Sequence, residues 1–333
     1  MGKFVLKRIG QALVVLLLAY TLAFFLLSAL PSDGVAARYA DPALGLSQAE
    51  IDQIREQMGV DKPLLEQYFS TLAGLLTGDL GYSVASGTPV ADLITDAAPH
   101  TFALAATSIG LAIVVALATA YVATLPGSGP LRRAVRSLPS FMVSLPGFWI
   151  AILLLQFFSF RLGWVNVVDP TPLEGLILPT LTLAVPMAAP LMQVLIRSID
   201  EVRAQPFVQV VRARGASEAR IFWRDVLRNS LLPAITMAGL LFGELVGGAV
   251  VTETVYGRAG LGSLTVNAVS SRDMPVLLGV VLIAATAYVV INLIVDLLYP
   301  VLDVRLREAW LDAQQATMLD QPAWRQVAKL DAQ

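Results

Sequence analysis

Six apolar runs punctuate the chain, near Ile9 to Leu30, Thr101 to Leu125, Leu138 to Phe160, Leu176 to Ile196, Pro233 to Val255 and Val276 to Tyr299. Each is long enough to cross a bilayer as helix, since roughly 20 apolar residues span about 30 Å of hydrocarbon. Lys3, Lys7 and Arg8 precede the first run, as they would precede a secretory signal. That run, however, outlasts the core of about 7–15 residues typical of a signal and ends in Ser28-Ala29-Leu30-Pro31 with no A-x-A site, so an uncleaved span is expected.

The polar stretches between the runs have patterns of their own. In "LSQAEIDQIREQMGVDKPLLEQYFSTLAGLL", Ile51, Ile54 and Met58, then Leu64, Leu65, Tyr68 and Leu72, fall at helical spacing. Ser47 with Glu50 three residues on has the form of a capping box, and Gly59 is a stop signal. A small helical extracytoplasmic subdomain is predicted there, followed by a turn-rich loop, "GDLGYSVASGTP". Between the fourth and fifth runs lies "VRARGASEARIFWRDVLRNSLLPAI", with Arg212, Arg214, Arg220, Arg224 and Arg228. Gly215 breaks it and Ser217 can cap a new helix. Ala219 to Leu231 then alternates Ile221, Phe222, Val226 and Leu227 with cations up to Pro233. The pattern predicts a short amphipathic helix joined to a span.

Composition agrees with a polytopic membrane protein of all-α class. The 333 residues are 56% hydrophobic and 14% charged, and the mean hydropathy of +0.70 is too high for an ordinary soluble domain. With no Cys and one His, disulfides, thiol chemistry and a lipid-modified cysteine are excluded, and no metal site is expected. No H-E-x-x-H or G-x-S-x-G pattern occurs, so no catalytic residue is expected. The only Gly-Lys pair is Gly2-Lys3, so there is no phosphate loop to bind ATP.

The net charge of -2 conceals a sidedness. Lys3, Lys7, Arg8, Arg132, Arg133, Arg136, the arginine cluster, Arg305 and Arg307 fall on one set of span ends, while the segment from Pro31 to His100 carries acids in excess. Basic residues flanking spans stay inside, so both termini are predicted cytoplasmic. The organisation that follows is a cytoplasmic N-terminus and first span (1–30), an extracytoplasmic segment (31–100), a five-span core (101–300) with a cytoplasmic loop at 199–232, and a C-terminal tail (301–333).

An arginine cluster between spans can serve only to fix orientation and touch lipid headgroups. Its shape also suits docking, which needs a rigid apolar face and charges that set register. At these residues the chain resembles the permease subunits of binding-protein-dependent ABC importers, specifically the B-type permeases of dipeptide, oligopeptide and nickel importers. The loop of that subfamily reads approximately Y-I-R-T-A-R-A-K-G, then closes on A-L-R-N-A-L-L-P. Here it stands as Phe207 to Gly215, with Gln209 and Val210 departing from the pattern, and closes on Val226 to Pro233. "GLLTGDLGYSVASGTPVADLI", "LPGFWIAILLLQFF", "LGWVNV", "ILPTLTLAVPMAA" and "NLIVDLLYPVLDVRLR" resemble further family segments. "VTETVYGRAGLGSLTVNAVSSRDMPVLLG" is the most specific match outside the loop.

The resemblance implies a six-span type I importer fold and an ATPase-coupling loop carried here by Arg212, Ala213, Arg214, Gly215, Ala216, Ser217, Glu218, Arg220 and Ile221. It also implies the partners: a second homologous permease, two ABC ATPases that bind ATP and Mg, an extracytoplasmic binding protein and the lipid bilayer. No nucleic acid is among them, and no cofactor is expected in this chain. Peptides lead as substrates, with nickel, glutathione and oligosaccharides as alternatives. A stand-alone secondary transporter is the rival reading, against which the absence of an internal repeat weighs mildly.

Candidates for the translocation path lie in the fifth run. A carboxylate at the bilayer centre costs roughly 2.5–3.5 kcal/mol, so Glu244 and Glu253 should face a cavity, a partner or the bundle interior. Glu253 belongs to the family's T-E-T stretch, where a structural hydrogen bond at the outer span end is the first expectation; Glu244 falls where the family usually has small or neutral residues. Gly239, Gly243 and Gly247 share a helix face suited either to packing within the subunit or to a switchable contact with the partner permease. Pro179, Pro186 and Pro190 should free carbonyls in the fourth span. His100 is expected at the membrane interface, and Asp296 near hydrated cytoplasm.

Overall fold

The computed structural model describes residues 2–29, 39, 45, 47–58, 62–125, 127 and 129–302. The regular elements among them are helices, beginning with α1 (Gly2–Ser28) and two outer helices, α2 (Gln48–Met58) and α3 (Leu64–Thr77). The core follows as α4 (Val90–Thr124), α5 (Pro130–Val143), α6 (Gly147–Leu154, running on as a π-helical turn Leu155–Arg161), α7 (Glu174–Arg203) and α8 (Pro206–Ala213). A turn at Glu218–Arg220 and a π-helical segment Ile221–Val226 lead directly into α9 (Leu227–Val255), then α10 (Leu261–Ser270) and α11 (Met274–Leu302).

Among the described residues, 5 helices are long and apolar enough to cross a membrane, or 6 if the bent pair α5 and α6 forms one span. The six expected spans are reached with the bent pair counted as one, and that one differs in shape. The run Leu138 to Phe160 is not a straight rod: α5 and α6 meet at 103°. The cause is local, because Pro146 has no N–H to continue the ladder and drives Leu145 out of helical conformation. Leu145 N donates instead to the Met142 carbonyl at 3.3 Å, and Ser144 Oγ donates to the Phe141 carbonyl at 2.7 Å.

The centre of the bundle is the seam between α4 and α7. Ala112, Ala116, Ala120 and Ala123 meet Ala184, Ala188 and Ala189 there, all buried. Small side chains let the backbones approach where no water is available to drive association. α7 runs through Pro179, Pro186 and Pro190 without a break. Pro179 leaves the Gly175 carbonyl without its helical donor, and Arg258 Nη1 supplies the missing bond from beyond α9. Arg258 Nη2 reaches the His100 carbonyl at 3.4 Å, so one side chain ties α4, α7 and the end of α9.

α1 packs on α11 at the edge of the bundle and leaves Leu13, Val14, Leu18 and Leu22 on the surface that acyl chains would cover. At one end Arg8 pairs with Asp296 at 3.1 Å. At the other, Tyr20 Oη donates to the Tyr68 carbonyl at 2.7 Å, which seats α3 on the end of α1. The capping box at the start of α2 is present: Ser47 N and Oγ both donate to Glu50 at 2.7 Å, and Glu50 N donates back to Ser47 Oγ at 3.4 Å. Those bonds hold the exposed Glu50 carboxyl below its ordinary range. Gly59, Arg305, Arg307 and the tail beyond Leu302 lie outside the described residues.

Candidate functional site

The arginine-rich loop is built from the end of α7, α8 and the turn that starts the next helix. Pro206 opens α8 at its first helical position, where a missing N–H costs nothing. Gly215 closes it at φ 82°, a backbone conformation that side chains resist. Ser217 then caps the following turn by accepting from Arg220 N at 3.4 Å. Both punctuation residues act as the spacing indicates.

Glu218 holds these pieces together. Its carboxylate accepts from Arg203 Nη1 at 2.8 Å and from Arg212 Nε at 2.8 Å, so one acid staples the end of α7, α8 and its own turn. The Arg203 side chain is 11% exposed and that of Arg212 48%. On the same side, Arg136 pairs with Asp200 at 2.9 Å, and Arg132 and Arg136 each donate from Nε to the Ala123 carbonyl at 2.9 Å. Those two arginines satisfy a carbonyl that the end of α4 would otherwise leave open.

Two expectations for the loop are corrected. The amphipathic segment does not stop at Pro233; it continues through a π-helical segment into α9, with Pro233 inside the helix. Nor does its apolar face await a partner. Ile221, Phe222 and Val226 are fully buried and Leu227 nearly so, packed into this chain's own core. Tyr121 of α4 meets Phe222 edge-on with ring centroids 4.9 Å apart, so the face is used internally. What remains outward is Ala213, Arg214, Ala219, Arg220, Arg224 and Arg228, with Val210 and Trp223 as apolar points. Trp223 stacks on Tyr121 with ring centroids 6.1 Å apart. Ala216 is half-buried between the two faces.

At the far end of α9, Glu253 is fully buried. It accepts from Thr101 Oγ1 at 2.6 Å, Gly262 N at 2.7 Å and Ser263 N at 3.3 Å, while Thr101 Oγ1 accepts from Leu261 N at 2.8 Å. A carboxylate and a hydroxyl thus take up the open N–H groups at the start of α10, where negative charge also meets the positive end of the helix. The fit is close. A Cβ on Gly262 would stand 2.5 Å from Val250 Cα, and one on Gly260 2.2 Å from Glu253 Oε1. In this structure Glu253 belongs to a closed cluster and faces no open passage.

The three glycines that recur at every fourth residue of α9 divide. A Cβ on Gly239 would meet Val295 Cγ2 at 3.2 Å and one on Gly243 would meet Tyr288 at 3.1 Å, both on α11, whereas one on Gly247 would meet nothing within 4 Å. Glu244 is exposed, with no hydrogen bond or ion pair among the described residues. Among those residues no group of three His, Cys, Asp or Glu is placed to hold a metal.

Sequence reasoning passed over several residues that organise these sites. Asp273, just ahead of α11, is buried and accepts from Ser83 Oγ, from Val84 N at 3.2 Å and from Ala85 N at 3.1 Å, which clasps the "GDLGYSVASGTP" loop to the last span. Its signal was present, since it is one of two acids, with Glu253, in the segment VTETVYGRAGLGSLTVNAVSSRDMPVLLG. Arg203, Arg136 and Arg258 have no local signal, because each partner lies on another element.

A family model described as binding-protein-dependent transport system inner membrane component matches residues 112–308, and one for the N-terminal part of such components matches residues 1–105. The glutathione transport system permease protein GsiC of Pectobacterium atrosepticum is 34% identical over 310 residues, 92% of this chain and 99% of that protein. GsiC of Escherichia coli K12 is 33% identical over 307 residues, with the same two coverages of 92% and 99%. A protein of Brucella suis named as a peptide permease is 33% identical over 318 residues. Among solved structures, the inward-facing MetNI methionine ABC transporter superposes with a TM-score of 0.53 at 19% identity, covering 63% of this chain and 96% of that one. At that identity the likeness concerns the fold alone.

Proposed function

Because the chain belongs to the family of inner-membrane components of binding-protein-dependent transport systems, and is thus an ABC importer permease, we propose that it passes short peptides inward and draws its energy from ATPases docked at the arginine-rich loop. The observation that carries the docking is the loop's outward face. Arg214, Arg220, Arg224 and Arg228 stand free of the internal staple, around the exposed Trp223, on a support that Glu218 makes rigid. A rigid, charged face with an aromatic anchor is what a groove on a partner needs for affinity and register.

In this reading two ATPase subunits bind ATP and Mg, since this chain has no phosphate loop. A second homologous permease completes the passage and an extracytoplasmic protein delivers the cargo. Both termini and the loop lie in the cytoplasm. ATP binding favours one arrangement of the ATPase pair, and the loop passes that preference to the spans as alternating access. Gly243, Glu244 and Gly247 are the residues of α9 proposed to border the passage, whereas Gly239 and Glu253 are buried within this chain. The relatives named as glutathione permeases support glutathione as a second cargo, itself a small peptide with an ammonium group.

The test is purification of the tagged chain from its native membrane, with mass spectrometry of what accompanies it and ATP-driven peptide uptake in liposomes. Recovery of a second permease and of ATPases with phosphate loops, together with uptake that needs ATP, is the expected result. Transport by this chain alone, driven by an ion gradient, would replace the importer reading with a secondary transporter.

A further inference from the structure

We infer that Glu244 is an anionic subsite in the translocation path that receives the ammonium group of the substrate. The inference rests on the peptide-importer reading above and names the chemistry that α9 contributes to it.

α9 has two faces. Leu241, Leu245 and Ala249 are buried at 3%, 2% and 1% exposure, and they hold the helix in the bundle. Leu240, Gly243, Glu244, Gly247, Val251 and Thr254 are exposed and recur at helical spacing, so they form one stripe along the helix. At roughly 1.5 Å of rise per residue, Glu244 lies about 25 Å beyond Leu227 and about 16 Å short of Val255, well inside the hydrocarbon layer.

The other acids of α9 and α11 have partners in this chain. Glu253 takes Thr101 and the N-terminal N–H groups of α10, and Asp296 takes Arg8. Glu244 has none among the described residues. A carboxylate at this depth without a partner does not face lipid; it faces water or a ligand. The stripe leaves room beside it, because a Cβ on Gly247 would touch nothing within 4 Å. No Lys or Arg shares the stripe to compete for the carboxylate.

The complementary ligand follows from the charge. A short peptide entering a narrow passage gives up part of its hydration, and its ammonium group is the part that an isolated carboxylate compensates. A side-chain ammonium gains in the same way and a side-chain carboxylate is repelled, so Glu244 ranks cationic above anionic peptides at the passage itself. The delivering protein stays constant across permease variants, so any change in ranking is assigned to the permease.

The experiment measures maximal uptake of alanyl-lysine and alanyl-glutamate by cells carrying the complete importer with the wild-type, Glu244→Gln or Glu244→Lys chain. Co-purification of the second permease and basal ATP hydrolysis are followed in parallel. The expected result is a lysine-to-glutamate peptide ratio that falls about tenfold in Glu244→Gln, the size of one charge-assisted hydrogen bond, and falls further in Glu244→Lys, with assembly and basal hydrolysis unchanged. A merely structural role does not invert with the sign of the charge. An unchanged ratio in assembled variants overturns the inference, as does loss of the second permease from both variants, which makes Glu244 a subunit contact. If the wild type takes up neither peptide, the peptide-importer reading itself fails and takes this inference with it.

Discussion

Glu218 shows how much can depend on one carboxylate. With Arg203 nearly buried, Glu218→Ala leaves a guanidinium with no counter-charge, a local cost of about 2 kcal/mol after allowance for partial exposure. Arg212 is half exposed, and Arg212→Ala should cost about 0–1 kcal/mol. Membrane insertion should survive in both variants. ATP hydrolysed per peptide transported should rise severalfold in Glu218→Ala and in Arg203→Ala, and little in Arg212→Ala. Equal coupling ratios in the three variants would sink the idea that a stapled loop transmits the stroke. Ser47 and Glu50 mark what is legible at this scale: a capping box is a local event, three residues long, so spacing reveals it. The partners of Glu218 are not legible, because Arg203 lies 15 residues away across two changes of chain direction.

Elements were legible where periodicity is long and misjudged where a neighbour decides their ends. The apolar runs place the spans, yet nothing local states that α4 begins at Val90 or that α9 continues back through Pro233 to the loop. A proline inside a helix is tolerated when the bundle supplies the lost bond, as Arg258 does for the Gly175 carbonyl. At Pro146 the chain instead turns, and one expected span becomes α5 and α6. The contact of α9 with α10 gives the sharpest element-scale prediction. Gly262→Ala places a methyl group 2.5 Å from the backbone of Val250, which α9 cannot relieve by rotating a side chain. Solubilised complex should lose about 2–4 kcal/mol of stability by overpacking and by loss of the Glu253 bonds. Its thermal midpoint should drop well below that of Gly247→Ala, where the added Cβ meets open space. Equal midpoints for the two variants would count against the packing described.

For the whole molecule the first question is sidedness. The chain contains no Cys, so single cysteines report cleanly, and both Ser86 and Ser217 are exposed. Ser86→Cys should react with an impermeant maleimide in intact cells, and Ser217→Cys only after the membrane is opened. The reverse pattern inverts the proposed orientation and moves the arginine-rich face away from any ATPase. The same scale distinguishes two kinds of outward surface. α1 exposes Leu13, Val14, Leu18 and Leu22 at mid-length, whereas the outward stripe of α9 adds glycines and a carboxylate to Leu240 and Val251.

The sequence by itself determined that this is an all-helical membrane permease of the ABC importer kind, with six apolar runs, a sided charge distribution and an arginine-rich loop marked by Gly215 and Ser217. Hydropathy, flanking charge and turn chemistry are properties of short windows, and the bilayer forces every backbone group in such a window to be satisfied within a helix. Only the tertiary structure decided which polar groups meet. It sent Ile221 and Phe222 inward, gave Glu253 to the start of α10, clasped the outer loop with Asp273 and left Glu244 bare on an open stripe. Those outcomes depend on side chains from distant elements arriving at one place, and distance along the chain carries no record of that meeting.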